Sequence, residues 1–147
     1  MEISRTEADS EDDLLINCLG LVLADIVIET GKAQTYHWNV TGMAFSSLHL
    51  LFREIYEDHF EAQGNIAERI KVLGGQIDGK YSRHLDTSKI QECGGNINAT
   101  RMVETLSNDQ RFLSENLLDV AGMAQRRGDE VTRDMLARRS GVHGKFA

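Results

Sequence analysis

Proline is absent from the 147 residues, and cysteine occurs only twice. Without proline the strongest single helix breaker is missing, so long helices can run uninterrupted. Cys18 and Cys93 form no CxxC pair. Two isolated cysteines fit free, inert thiols in a reducing compartment, not a disulfide framework or a redox motif. No apolar run reaches the roughly 18 residues of a membrane span. The richest stretch, Leu14 to Ile28, is broken by Asn17, Gly20 and Asp25. Basic residues are scarce at the amino terminus, where Arg5 alone faces Glu2, Glu7, Asp9, Glu11, Asp12 and Asp13. That start excludes the basic, then apolar, pattern of a secretory signal. The expectation is a cytoplasmic protein with no membrane association. A formal net charge of −7 argues against binding nucleic acid through bulk charge, although a local basic patch could still do so.

What is present reads as helix. With 41% hydrophobic and 27% charged residues, the chain has the composition of one globular domain with a real core. Ser10 followed by Glu11, Asp12 and Asp13 predicts a helix start, leaving residues 1–10 as an acidic, flexible segment and 11–147 as a single domain. The first helix is expected over about residues 11–37, with Leu15, Leu19, Val22, Leu23 and Ile26 as its apolar stripe. After the link Asn39-Val40-Thr41-Gly42, a second helix is expected from Phe45 to Leu73. Leu48, Leu51, Phe52, Ile55, Tyr56, Phe60, Ala67 and Ile70 supply its apolar positions, and Gly74-Gly75 its end. The glycine-bearing stretch 74–98 predicts only a short helix, after Asp86-Thr87-Ser88. A third long helix follows from Asn98 or Thr100 to Gln125, a turn at Gly128, and a last helix from Asp129 or Glu130. Two short links and one crossover of about 25 residues describe an all-α, ferritin-like four-helix bundle.

The residues able to bind metal are His37, beside Trp38 at the end of the first helix, and His49 early in the second. Glu57, Asp58, His59, Glu61 and Glu68 lie farther along the second helix. Imidazole nitrogen with carboxylate oxygen suits iron or zinc. Each has a plainer role available: a histidine near a helix end as a cap, Trp38 as a core or interface aromatic, Glu68 as a solvated charge. Asp58 and His59 are expected to face water or a neighbouring chain. On a helix, His49 and Glu68 lie about 28 Å apart along the axis and about 100° apart in direction. One chain therefore cannot close both around one ion. If both are ligands, a second, antiparallel copy must bring its Glu68 to His37 and His49, making two equivalent sites across a two-fold axis.

His37-Trp38-Asn39-Val40-Thr41-Gly42, then Phe45, Leu48-His49 and Ile66-Ala67-Glu68-Arg69-Ile70 with Leu73-Gly74-Gly75, resembles the signature of the Dps family of mini-ferritins. The likeness continues through Met102-Val103, Leu106, Asp109, Gly128-Asp129, Thr132, Asp134-Met135-Leu136 and His143. It covers the chain from about residue 11 onward. At Lys145-Phe146-Ala147 the sequence stops where family members usually continue with a short apolar-aromatic tail, which suggests a truncated end. The resemblance implies a homododecameric cage that oxidises Fe(II) with hydrogen peroxide or dioxygen and stores ferric oxide; from the donor chemistry alone, zinc is a substitute metal. It implies that His37 and His49 are the histidine ligands and Glu68 the bridging glutamate of the two-fold partner. Trp38 matches the tryptophan beside the site, an electron donor, and Asp129 and Asp134 resemble the acids lining three-fold pores.

Two positions depart from the family. Gly64 stands where an aspartate usually lies four residues before the glutamate, and Arg53 where an acid usually follows the second histidine by one turn. Glu61, two turns before Glu68, is the candidate to compensate. The alternative expectation is a cage with an impaired or altered metal site, acting mainly to protect DNA or sequester metal. The acidic amino terminus predicts weak or absent DNA binding. Arg126-Arg127, Arg133, Arg138-Arg139 and Lys145 make the last quarter the more basic part of the chain.

Overall fold

The computed structural model describes residues 7–147. Its helices are α1 (Glu7–Asn39), α2 (Phe45–Val72), α3 (Tyr81–Thr87), α4 (Ala99–Arg126) and α5 (Glu130–Phe146), and no strand occurs among the described residues. α1 packs along α2, α4 packs along α5, and α1 meets α4 across the core. Tight links over 40–44 and 127–129 make each pair an antiparallel hairpin. The crossover 73–98 carries the chain from one hairpin to the other, which is the ferritin-like arrangement.

Each long helix buries a stripe at alternating four- and three-residue steps. In α1 it comprises Leu15, Leu19, Val22, Ile26, Ala33 and Tyr36; in α4, Met102, Leu106, Leu113, Leu117, Val120 and Ala124. Burying each large apolar side chain stabilises the fold by about 1.5–3 kcal/mol. The α2 stripe runs through Phe52, Ile55, Ala62, Ile66 and Ile70. Phe60, expected on that stripe, is exposed, as is Leu51. At about 100° per residue the inward position falls one residue earlier, on His59. α1 is long and apolar enough, by length and composition alone, to cross a membrane, contrary to the sequence expectation. Half of its apolar window is buried inside the bundle, as in a core helix.

Two element boundaries also differ from expectation. α1 is already helical at Glu7, the first described residue, so Ser10 lies inside it and does not cap it. Of the segment expected to be flexible, residues 1–6 lie outside the described residues and 7–10 are helical. The short crossover helix precedes Ser88 instead of following it. Ser88 Oγ and the Lys89 N–H both donate to Asp25 Oδ1 at 2.8 Å. Lys32 Nζ donates to the Gln91 carbonyl at 2.9 Å and to Asp109 at 2.7 Å. These bonds pin the crossover against α1.

α2 ends as its two glycines predict. Gly74 has φ +90°, the Gly75 N–H donates to the Ile70 carbonyl (2.9 Å) and the Gly74 N–H to that of Lys71 (3.0 Å). This is the Schellman closure, which a side chain at Gly74 would strain. A Cβ at Gly75 would lie 2.7 Å from Ile16 and Ile70 methyls, so the second glycine is there for packing.

Candidate metal centre

The α1–α2 link brings His37 and His49 together. Gly42, with φ +102°, lets the chain reverse within five residues, and the Phe45 N–H donates back to its carbonyl at 3.1 Å. The two imidazoles stack with centroids 3.7 Å apart and planes 18° from parallel. Tyr56 meets His37 edge-on at 5.3 Å, and Phe45 stacks on His49 at 5.0 Å. His37 Nδ1 donates to the His49 carbonyl at 2.6 Å, and His49 Nδ1 to the His37 carbonyl at 2.8 Å. A carbonyl can only accept, so each Nδ1 carries the proton. In the neutral rings both Nε2 atoms are then lone-pair donors, oriented by the backbone as metal-ligating histidines commonly are.

Among the described residues no three His, Cys, Asp or Glu side chains stand together to hold an ion. Glu68 and Glu61 are exposed farther along α2, and Glu61 lines a groove with Asp58 and Arg139. Trp38 is 66% exposed and directly follows His37 in sequence. Arg53 bonds Glu57 at 2.8 Å one turn on, which offsets part of its charge near His49. At Gly64 a Cβ would meet nothing within 4 Å, so the missing aspartate is not excluded by packing within the chain. Asp129 caps α5, accepting from the Thr132 N–H (3.0 Å) and from Arg69 (3.1 Å). Burial pushes its carboxyl up, but the Thr132 bonds and the Arg69 charge outweigh this and hold it below the usual carboxylate value. Asp134 is exposed and pairs with Arg138 at 3.1 Å.

Sequence reasoning missed a second polar cluster, in the bundle centre. His59 does not face water: it is fully buried, as are Glu29, Gln110 and His143. His59 Nδ1 donates to Asp58 (2.8 Å), and its Nε2 accepts from the Gln110 carboxamide (2.8 Å). His143 Nδ1 donates to Gln110 Oε1 at 2.7 Å, and Gln110 Nε2 also reaches Glu29 Oε1 at 3.3 Å. Burial pushes the Glu29 carboxyl well up and the His59 imidazole down. Burial, helped by the His59 and Arg139 charges, takes His143 down to about 2. One signal was available: Glu29 and Gln110 each continue the buried stripe of their helix.

A family model of the ferritin-like domain matches residues 31–140. General stress protein 20U of Bacillus subtilis is 32% identical over 122 residues, covering 83% of this chain and 84% of the relative. The DNA protection during starvation protein of Brevibacillus brevis is 34% identical over 130 residues, 86% and 85% of the two chains. Among solved structures, a Dps protein from Bacillus brevis superposes with TM-score 0.91 at 29% identity, covering 97% and 94%. A Dps protein from Vibrio cholerae O1, described as a ferritin-like diiron-carboxylate protein, gives 0.88 at 27% identity over 92% and 86%. Helix order, crossover and matched span define a ferritin-like protein. Within that class the chain belongs to the Dps family.

Proposed function

We propose that this chain is the subunit of a cytoplasmic iron-storage cage that oxidises Fe(II) at sites shared between two copies. The observation that carries this reading is the reciprocal His37–His49 bonding, which fixes both protons on Nδ1 and leaves both Nε2 atoms for a cation. In this reading the partner subunit's Glu68 completes the site, with Glu61 as a compensating carboxylate where Gly64 supplies none. Zn(II) accepts the same donors and acts as a substitute ion. Exposed apolar side chains on and beside α2, namely Trp38, Phe45, Leu50, Leu51 and Phe60, support a second copy packing there. The cage would be a homododecamer, with Asp129 and Asp134 drawing Fe(II) through its pores.

Iron is the substrate. Each hydrogen peroxide takes one electron from each of two Fe(II) ions, and the ferric product hydrolyses to oxide with release of protons. Trp38, beside the site and exposed, is the donor that would intercept a one-electron oxidant. The test is Fe(II) oxidation by peroxide in the assembled protein and in the His37→Ala/His49→Ala variant. The native protein should oxidise iron well above buffer and retain a mineral core. A rate equal to buffer in an intact cage would sink the catalytic reading.

Gly64 and Arg53 favour a second reading, a cage with weakened iron chemistry that protects DNA, as the names of several relatives say of those proteins. Four of the six basic residues named in the last quarter are paired within the chain, which weakens a DNA-binding patch there. Arg127 bonds Glu11 and Asp12, Arg133 bonds Glu130, Arg138 bonds Asp134, and Arg139 bonds Asp58. A gel shift at physiological salt separates the readings: retarded DNA together with slow iron oxidation favours the second.

A further inference from the structure

The crossover holds a thiol that the metal centre does not use. We propose that Cys93 is a peroxide-reactive cysteine, oxidised to a sulfenic acid whose oxygen accepts a hydrogen bond from the Tyr36 hydroxyl. Both cysteines of the chain are free, and the sequence alone reads both as inert. Their surroundings separate them. Cys18 packs against the main core, where burial pushes its thiol up against the pull of Lys89. It is thereby kept from the reactive anion. Cys93 is partly exposed and lines a depression of about 200 Å³ with Lys32, Thr35, Tyr81 and Glu92. Hydrogen peroxide is small enough to enter there.

Tyr36 supplies the second observation. Its side chain is fully buried, and Cys93 packs against the cluster around it. Its Oη has no hydrogen-bond partner of normal geometry, although the Cys93 thiol and the Thr105 hydroxyl lie beside it. Thr105 spends its proton on the Arg101 carbonyl at 2.7 Å, and the Cys93 thiol donates to that of Gly94 at 3.4 Å. Both neighbours can therefore only accept, and the phenol is the donor. A thiol sulfur accepts weakly, so the phenol stays unsatisfied while Cys93 is reduced. Oxidation places an oxygen on that sulfur, a much better acceptor, and a buried donor gains the bond it lacked. The loop is held in place for this: a Cβ at Gly95 would lie 2.5 Å from the Asn39 amide nitrogen. In the reaction Cys93 releases its proton and the thiolate attacks one oxygen of hydrogen peroxide. The S–O bond forms, the O–O bond breaks, and the departing hydroxide takes up the proton as water. Sulfur loses two electrons and peroxide gains them. Tyr36 is a positioning residue, its O–H facing the sulfur while that atom carries negative charge.

The experiment treats the assembled, iron-free protein with hydrogen peroxide and traps sulfenic acid with dimedone, located by mass spectrometry. Expected is labelling of Cys93 at least about tenfold faster than of Cys18. Tyr36→Phe, which removes only the hydroxyl, should slow labelling of Cys93 by about fivefold while Tm holds or rises. No label on Cys93, equal labelling of the two cysteines, or an unchanged rate in Tyr36→Phe overturns the proposal. If Tyr36→Phe does not assemble, the ratio of Cys93 to Cys18 labelling in the native protein decides. Because no iron is present, the outcome is independent of the ferroxidase reading.

Discussion

Two histidine pairs sit in this chain, and they differ in what their second nitrogens do. At the α1–α2 corner, His37 and His49 spend Nδ1 on backbone carbonyls and keep Nε2 free near the surface. In the bundle centre, His59 and His143 are tied through Gln110, and only His143 Nε2 is left without a partner. The first pair is stacked and held by the backbone; the second is buried and tied to other side chains. Backbone carbonyls orient a ligand without competing for the metal, whereas a side-chain amide does both. The same residue type thus keeps a lone pair available in one place and is held in a polar core in the other.

The comparison breaks most clearly under mutation. His37→Ala/His49→Ala should lower the peroxide-driven iron oxidation rate by about 10–100-fold, with a smaller fall in Tm from losing the buried His37 ring and its stack on His49. Gln110→Ala should do the opposite. It strands Glu29, His59 and His143 together and should cost about 2–4 kcal/mol in urea unfolding, with the interface chemistry retained.

Acidification separates the pairs next. His143 is held near pKa 2 by burial and by the His59 and Arg139 charges, against about 6.5 when unfolded. A depressed histidine contributes stability that is present above the unfolded value and lost as pH falls below it. His59 is shifted the same way by its burial, partly offset by Asp58. Stability of the metal-free protein should therefore fall from about pH 6.5 downward, by up to about 1.4 kcal/mol per pH unit per group. Glu29, raised by burial and by Asp109, has the opposite sign: its contribution is present below its unfolded value and lost as pH rises above it. Glu29→Gln should thus stabilise the protein at pH 7 and leave the acid limb in place, as urea midpoints across pH would report.

A smaller effect sharpens the first pair. Gly64→Asp meets open space and replaces glycine in a helix, so it should fold normally. It should raise iron affinity about tenfold if the missing carboxylate limits the site; unchanged affinity in a binding titration would remove Gly64 as the explanation for weakness. Arg53→Ala is the mildest change. Its guanidinium is exposed and already paired with Glu57, so a gain of only about twofold is expected from the same titration.

Much of the fold was legible because helices, their links and their ends are local. The 3.6-residue period located four long helices, Gly74 and Gly128 closed two of them, and the one long connection implied the crossover. The family motif drew attention to His37 and His49 because both lie close in sequence to one tight turn. Phe60 and His59 escape the sequence pattern because apolar spacing leaves a stripe free to slip by one residue, and one residue is about 100° of helix. The short crossover helix was set too late because Ser88 resembles a start signal while its hydroxyl serves Asp25.

By itself, the sequence determined the helices, the order of their connections, the family and the imidazoles at the corner. Those depend on neighbours within a few residues of one another. Only the tertiary structure decided that Glu29, His59, Gln110 and His143 meet. The stripes show that each faces inward, but the pairings span 33 to 81 residues. Such contacts depend on how four helices pack at once, and no local spacing encodes that.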